Sequence, residues 1–89
     1  MILLNINNKQ QGTLAKIFEN PVRADIPWDD IESLFRGLGG EISEGNGSRV
    51  RVKLNERKAV FHRPHPQNVT DNGTVKSVRR FLEEAGVNN

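Results

Sequence analysis

The 89-residue chain contains no cysteine. That absence excludes a disulfide framework and any zinc site built on thiolates, and it fits a reducing compartment. Long apolar runs are also missing. Met1-Ile2-Leu3-Leu4 is too short for a signal-peptide core or a membrane span and has no basic segment before it. The expectation is one soluble, cytoplasmic domain with no membrane partner. Internal repeats and low-complexity tracts are lacking too. A chain this short buries a smaller share of its surface than a large one, so the core must be modest. Its one tryptophan, Trp28, falls on the apolar stripe of a predicted helix and reads as core, not as a stacking platform.

What the sequence does have is concentrated positive charge. The formal net charge is only +2, but six of the thirteen Lys and Arg lie between Arg49 and Arg63, with Glu56 the one acid among them. The rest of the chain is net acidic. Local field, not net charge, attracts a polyanion, so this asymmetry points to nucleic acid. Within Arg49-Val50-Arg51-Val52-Lys53-Leu54 basic and apolar residues alternate. A period of two is a strand with one buried and one solvent face.

The remaining pattern predicts an α+β chain. Thr13 is placed as the cap of a short helix through about Glu19, ended by Asn20-Pro21. This helix is read as a peripheral arm after a loosely ordered start that includes Asn5, Asn7 and Asn8. Pro27 opens a second helix with Trp28, Ile31, Leu34, Phe35 and Leu38 on one face, stopped by Gly39-Gly40. Three antiparallel strands follow: Glu41 to Glu44, Ser48 to Leu54 and Lys58 to His62. Gly45-Asn46-Gly47 and Asn55-Glu56 form the turns between them. A last helix starts after Thr70-Asp71-Asn72-Gly73, faces Val75, Val78, Phe81, Leu82 and Ala85 inward, and ends at Gly86. Residues 1–26 are taken as the arm and 27–89 as the main domain.

A two-residue turn at Asn55-Glu56 sets Arg49 opposite His62, Arg51 opposite Val60 and Lys53 opposite Lys58 on the solvent face; a four-residue turn slides the pairs but keeps each residue on its face. Arg49, Arg51, Lys53, Lys58 and Arg63 are therefore candidate RNA ligands. His62 is the candidate general base, because a neutral imidazole suits that task near neutral pH. RNA carries its own nucleophile in the 2′-hydroxyl, so a histidine that accepts that proton and arginines that hold the phosphate would suffice without a metal or other cofactor. His65, between Pro64 and Pro66, is a further candidate with a fixed direction. His62-x-x-His65 could form a metal pair, but no acid lies near it in sequence, so no metal site is assigned.

Several of these features, in this order, resemble the HicA family of toxin–antitoxin systems. Gly47-Ser48 is similar to that family's Gly-Ser motif, Pro64-His65-Pro66 to its Pro-His-Pro motif, and Thr74 to Gly86 to its closing helix. The resemblance covers about Pro27 to Val87. It implies a fold like the double-stranded-RNA-binding domain, helix–three strands–helix, here with an extra N-terminal helical arm. It also implies a ribosome-independent mRNA interferase held inactive by a HicB-like antitoxin. Members usually carry a catalytic histidine one or two residues after Gly-Ser, where this chain has Arg49 and Val50. An arginine does not serve as a base near neutral pH, although it can bind phosphate and stabilise developing charge. Either His62 has taken over the proton transfer, or the protein is a non-catalytic RNA-binding module or an antitoxin-docking protein on the same fold.

Overall fold

In the computed structural model, which describes residues 6–88, helix α1 (Asn8–Ile17) is followed by a short strand β1 (Ile26–Pro27) and helix α2 (Trp28–Gly37). Strands β2 (Glu41–Glu44), β3 (Arg49–Leu54) and β4 (Arg57–His62) come next. A second short strand β5 (Val69–Thr70) and helix α3 (Asn72–Glu84) complete the chain. The expected α+β order, helix–three antiparallel strands–helix with an added N-terminal helix, is present. Strand order in the main sheet is β2-β3-β4. Among the described residues no helix is long and apolar enough to cross a membrane.

The main sheet takes the register that the alternation demands. Along β3 the residues are exposed and buried by turns, with Val50, Val52 and Leu54 inside. These pack with Phe61 against Trp28, Ile31, Leu34 and Phe35 of α2 and Val75, Val78, Phe81 and Leu82 of α3. Phe61 is central. Its ring lies 5.7 Å from Trp28, 5.9 Å from Phe35 and 5.9 Å from Phe81, centroid to centroid. Aromatic contacts at such distances add to the stabilisation from buried area. Because Phe61 is anchored inward, the period of two turns His62 outward.

Both core helices of this unit end on glycine. Gly39 (φ 91°) and Gly86 (φ 84°) occupy the left-handed position where a side chain is strained. The next amides close the motif: Gly40 N–H donates to the Phe35 carbonyl and Val87 N–H to the Leu82 carbonyl, both at 2.8 Å. The expected contact partner Val87 is buried.

The N-terminal helix departs from expectation in two ways. Its cap is Asn7, not Thr13. Asn7 Oδ1 accepts from Gln10 N–H at 2.8 Å, and Gln10 Oε1 accepts from Asn7 N–H at 3.0 Å. This reciprocal capping box satisfies two otherwise unpaired amides, so the helix starts six residues earlier than a Thr13 cap would allow. Thr13 sits mid-helix, buried, with its hydroxyl donating to the Lys9 carbonyl. The helix also ends sooner, with Phe18 as its C-cap ahead of Asn20-Pro21. Nor is it peripheral. Leu14 and Ile17 belong to the same core as the sheet, and Gln10 Nε2 donates to the Ser33 carbonyl and hydroxyl of α2. Arg79 of α3 reaches back to the carbonyls of Ile17 and Glu19. The loose order expected of the first residues is replaced at Asn7 and Asn8 by a capped helix; Met1 to Asn5 lie outside the described residues.

A second small sheet was not foreseen. Ile26 pairs with Thr70 and Pro27 with Val69. Two-residue strands carry no periodicity to read, yet this ladder brings the start of α2 beside the start of α3. Asp29 N–H donates to Asn68 Oδ1 across the same junction.

Candidate nucleic-acid interface

Strand pairing delivers the expected face. Arg49 lies opposite His62, Arg51 opposite Val60 and Lys53 opposite Lys58. All six are exposed, and together with Glu41 and Ser43 of β2 they form the side of the sheet that no helix covers. The turn follows from two residues in the left-handed region, Asn55 (φ 50°) and Glu56 (φ 68°), the conformation that a tight two-residue hairpin requires. Asn55 is fixed further by its side-chain amide, which donates to the Ala85 carbonyl at the end of α3 at 2.8 Å.

Two depressions mark this face. One, of about 120 Å³, is lined by Gly45, Asn46, Arg49, Arg51 and Val60. Its rim is the turn before β3, closed by Gly45 N–H to the Arg49 carbonyl at 2.9 Å. The other, of about 570 Å³, is lined by Glu41 and Ser43 of β2 together with Arg51, Lys53, Lys58 and Val60. An arginine-lined hollow beside a larger trough, in which Arg51, Lys53 and Lys58 outnumber the one carboxylate of Glu41, can seat one phosphate and guide the strand beside it.

His62 has no hydrogen-bond or ion-pair partner among the described residues and stands across the ladder from Arg49. Arg63 N–H donates to the Ser48 carbonyl at 2.9 Å, so the Gly47-Ser48 segment runs directly beside the end of β4. The geometry thus places the Gly-Ser motif, Arg49 and His62 in one neighbourhood.

Arg63 itself is otherwise engaged than expected. Its Nε and Nη2 donate to the two carboxylate oxygens of Glu32 at 2.7 and 3.2 Å. Its Nη1 and Nη2 donate to Glu44 at 2.6 and 2.9 Å. Both forks of the guanidinium are taken by carboxylates, so Arg63 is a clamp between α2, β2 and the end of β4, not a free phosphate ligand. The paired carboxylates also raise its pKa well above the ordinary arginine value, so it stays charged.

Glu32 reads from the sequence as one of three acids, with Asp29 and Asp30, near the positive end of α2; its buried pairing with Arg63 is what sequence reasoning missed. Glu32 is 5% exposed, and besides Arg63 it accepts from the Trp28 indole N–H. Burial pushes its carboxyl up, but hydrogen bonds from Arg63 and Trp28 and the charges of Arg63 and Arg36 outweigh that and hold it below the usual carboxylate range. A signal existed in the sequence: Glu32 follows Trp28 by four and precedes Phe35 by three, which puts an acid on the apolar stripe.

His65 is not part of the Arg49 hollow. It lines a separate cleft of about 320 Å³ with Pro64, Pro66, Gln67 and the start of α3. Among the described residues, no three His, Cys, Asp or Glu side chains gather where they could hold a metal ion.

A family model described as the HicA toxin of bacterial toxin-antitoxin matches residues 28–87. No curated protein and no solved structure matches the chain.

Proposed function

The chain belongs to the HicA toxin family, and from that premise we propose that it is an mRNA interferase that uses His62 in place of the family's usual histidine. The observation that carries this reading is an exposed imidazole, without a partner among the described residues, directly across the ladder from Arg49 and next to the Gly-Ser segment. Arg49 and Arg51 bind the scissile phosphate and stabilise the charge that builds on it. Lys53 and Lys58 extend the track along which the strand lies. His62 takes the proton from the 2′-hydroxyl as that oxygen attacks the neighbouring phosphorus. The bond from phosphorus to the 5′-oxygen breaks, the leaving oxygen takes a proton from solvent or from the imidazolium, and a 2′,3′-cyclic phosphate remains. The nucleophile belongs to the substrate, so the step needs no metal and no other cofactor.

A HicB-like antitoxin would then inhibit by covering the same cationic face, with acidic side chains opposite Arg51, Lys53 and Lys58. The position after Gly-Ser favours a second reading. Arg49 there leaves a binding surface without the usual base, and the protein would hold RNA by backbone contacts alone.

Incubation of the purified protein with a mixed transcript in EDTA separates the two. Cleavage by the parent and at least a hundredfold slower cleavage by His62→Ala, with RNA binding retained, is the expected result. Equal cleavage by both proteins overturns the role of His62. Binding without cleavage by the parent selects the non-catalytic reading.

A further inference from the structure

We propose that the cleft between the Pro64-His65-Pro66 segment and the start of α3 is a nucleobase subsite that prefers an unpaired guanine. The inference rests on the reading of the chain as an RNA-acting protein and adds the selection of a flanking nucleotide. The cleft measures about 320 Å³, the scale of small-ligand sites.

Its chemistry suits a base and not a phosphate. No lysine or arginine lines it, whereas Asp71 does. The Thr74 N–H donates to Asp71 Oδ1 at 2.7 Å, and hydrogen bonding to Thr74 holds the Asp71 carboxyl below its ordinary range. A carboxylate at the mouth repels a phosphate but accepts from N–H donors. The Thr74 side chain also hydrogen-bonds the Asp71 carboxylate, and each carboxylate oxygen keeps a further lone pair for a ligand donor.

A second observation points to a missing ligand group. Thr70 also lines the cleft, is 1% exposed, and its hydroxyl is the one buried side-chain polar atom without a hydrogen bond among the described residues. Buried polar atoms nearly always have partners, so an orphan hydroxyl on a residue that lines the cleft marks a place for one just beneath its surface. The exposed imidazole of His65, directed by its flanking prolines, and the 43% exposed Val69 supply faces for a flat ring.

Guanine fits this set best. Its N1–H and N2 amino group lie side by side and donate together to a carboxylate. Adenine, cytosine and uracil each offer a single donor group on that edge. The chain from His62 to His65 spans at most about 10 Å even if extended. The base in the cleft therefore belongs to a nucleotide next to the one whose phosphate meets Arg49.

The test uses ¹⁵N-labelled full-length protein titrated to millimolar concentration with GMP, AMP, CMP, UMP and ribose 5-phosphate. The backbone amides of Thr70, Asp71 and Thr74 are followed by NMR. The expected result is that GMP moves these amides at the lowest concentration and ribose 5-phosphate does not. Asp71→Asn keeps the helix cap, because asparagine caps as well as aspartate. It should weaken GMP about tenfold or more and abolish the preference for guanine. Thr70→Val should weaken GMP while leaving the fold intact.

Equal shifts with ribose 5-phosphate would make the cleft a phosphate site and overturn the proposal. So would no shift at these amides, or the same response to all four bases. Shifts confined to the amides of Arg49, Arg51 and His62 would overturn the base subsite while supporting the cleavage site. A guanine-selective cleft in a protein that cleaves nothing would retain the subsite and remove only the catalytic reading.

Discussion

Glu32 is a carboxylate on an otherwise apolar helix face, and three groups keep it ionised there: Arg63, Trp28 and Arg36. Removing its charge leaves the partly buried guanidinium of Arg63 with Glu44 alone. Glu32→Gln should cost about 2 kcal/mol at pH 7, below the roughly 3–5 kcal/mol of a fully buried pair because Arg63 keeps Glu44 and some solvent. The sign of the pH effect follows from the lowered carboxyl. The folded protein holds Glu32 below its ordinary value of 4.5, so its stabilisation is complete above that pH and fades as pH falls through the lower folded value. Thermal melts should be flat from about pH 7 to 5 and fall below about pH 4.5. The Gln variant should start lower and fall less steeply. Some acid slope will persist, because Asp25, Glu44 and Asp71 are also held low by hydrogen-bond partners. A variant with the parent's melting point and acid limb would show that the Arg63 clamp does not bear on stability.

The β3–β4 hairpin is the element on which the proposed site depends. Its two faces were legible from the period-two pattern, which buries Val50, Val52 and Phe61 whether the turn has two or four residues; the two-residue turn of the structure selects the pairing. The turn is not optimal. A glutamate at φ 68° carries strain of about 1–2 kcal/mol that glycine does not. Glu56→Gly should therefore raise stability by about 0.5–1 kcal/mol, after the loss to the more flexible unfolded chain, with the cross-strand pairs unchanged. Urea denaturation would show it as a higher midpoint at constant slope. A lower midpoint would mean that Glu56 makes a compensating contact. Asn55 is the wrong place for the same change, since its side chain also holds the Ala85 carbonyl.

At the scale of the whole molecule, the sheet face left open by the helices carries four cations and one acid, Glu41. Helices α2 and α3 cover one side of the sheet, and the uncovered side carries Arg49, Arg51, Lys53 and Lys58. With Arg63 committed to Glu32 and Glu44, four cations are available for a single RNA strand. Log affinity against log salt should then have a slope of about −3, and each charge removed should reduce it by about 0.7. Arg63→Gln should leave that slope unchanged even if it weakens folding. A slope near zero would mean that the face does not bind a phosphate backbone, and a slope that drops with Arg63→Gln would mean that the clamp opens on binding.

The amino-acid sequence alone determined the elements that rest on short-range rules. Alternation gave β3 and its two faces, apolar spacing gave α2 and α3, and Gly39 and Gly86 gave their ends. That Arg49 and His62 share the solvent face followed from the period, and the two-residue turn then set them opposite each other. Family membership was likewise legible in the Gly47-Ser48 and Pro64-His65-Pro66 motifs and the closing helix. Only the tertiary structure decided what depends on partners distant in the chain. It drew α1 into the core through Leu14, Ile17 and Gln10. It paired Ile26-Pro27 with Val69-Thr70, converted Arg63 from a surface cation into the partner of two carboxylates, and set His65 in a cleft with Thr70 and Asp71. The physical reason is common to these cases. A side chain's periodicity fixes which face it occupies, but what satisfies its charge or hydrogen bonds there is supplied by residues tens of positions away, and those meet only when the layers pack.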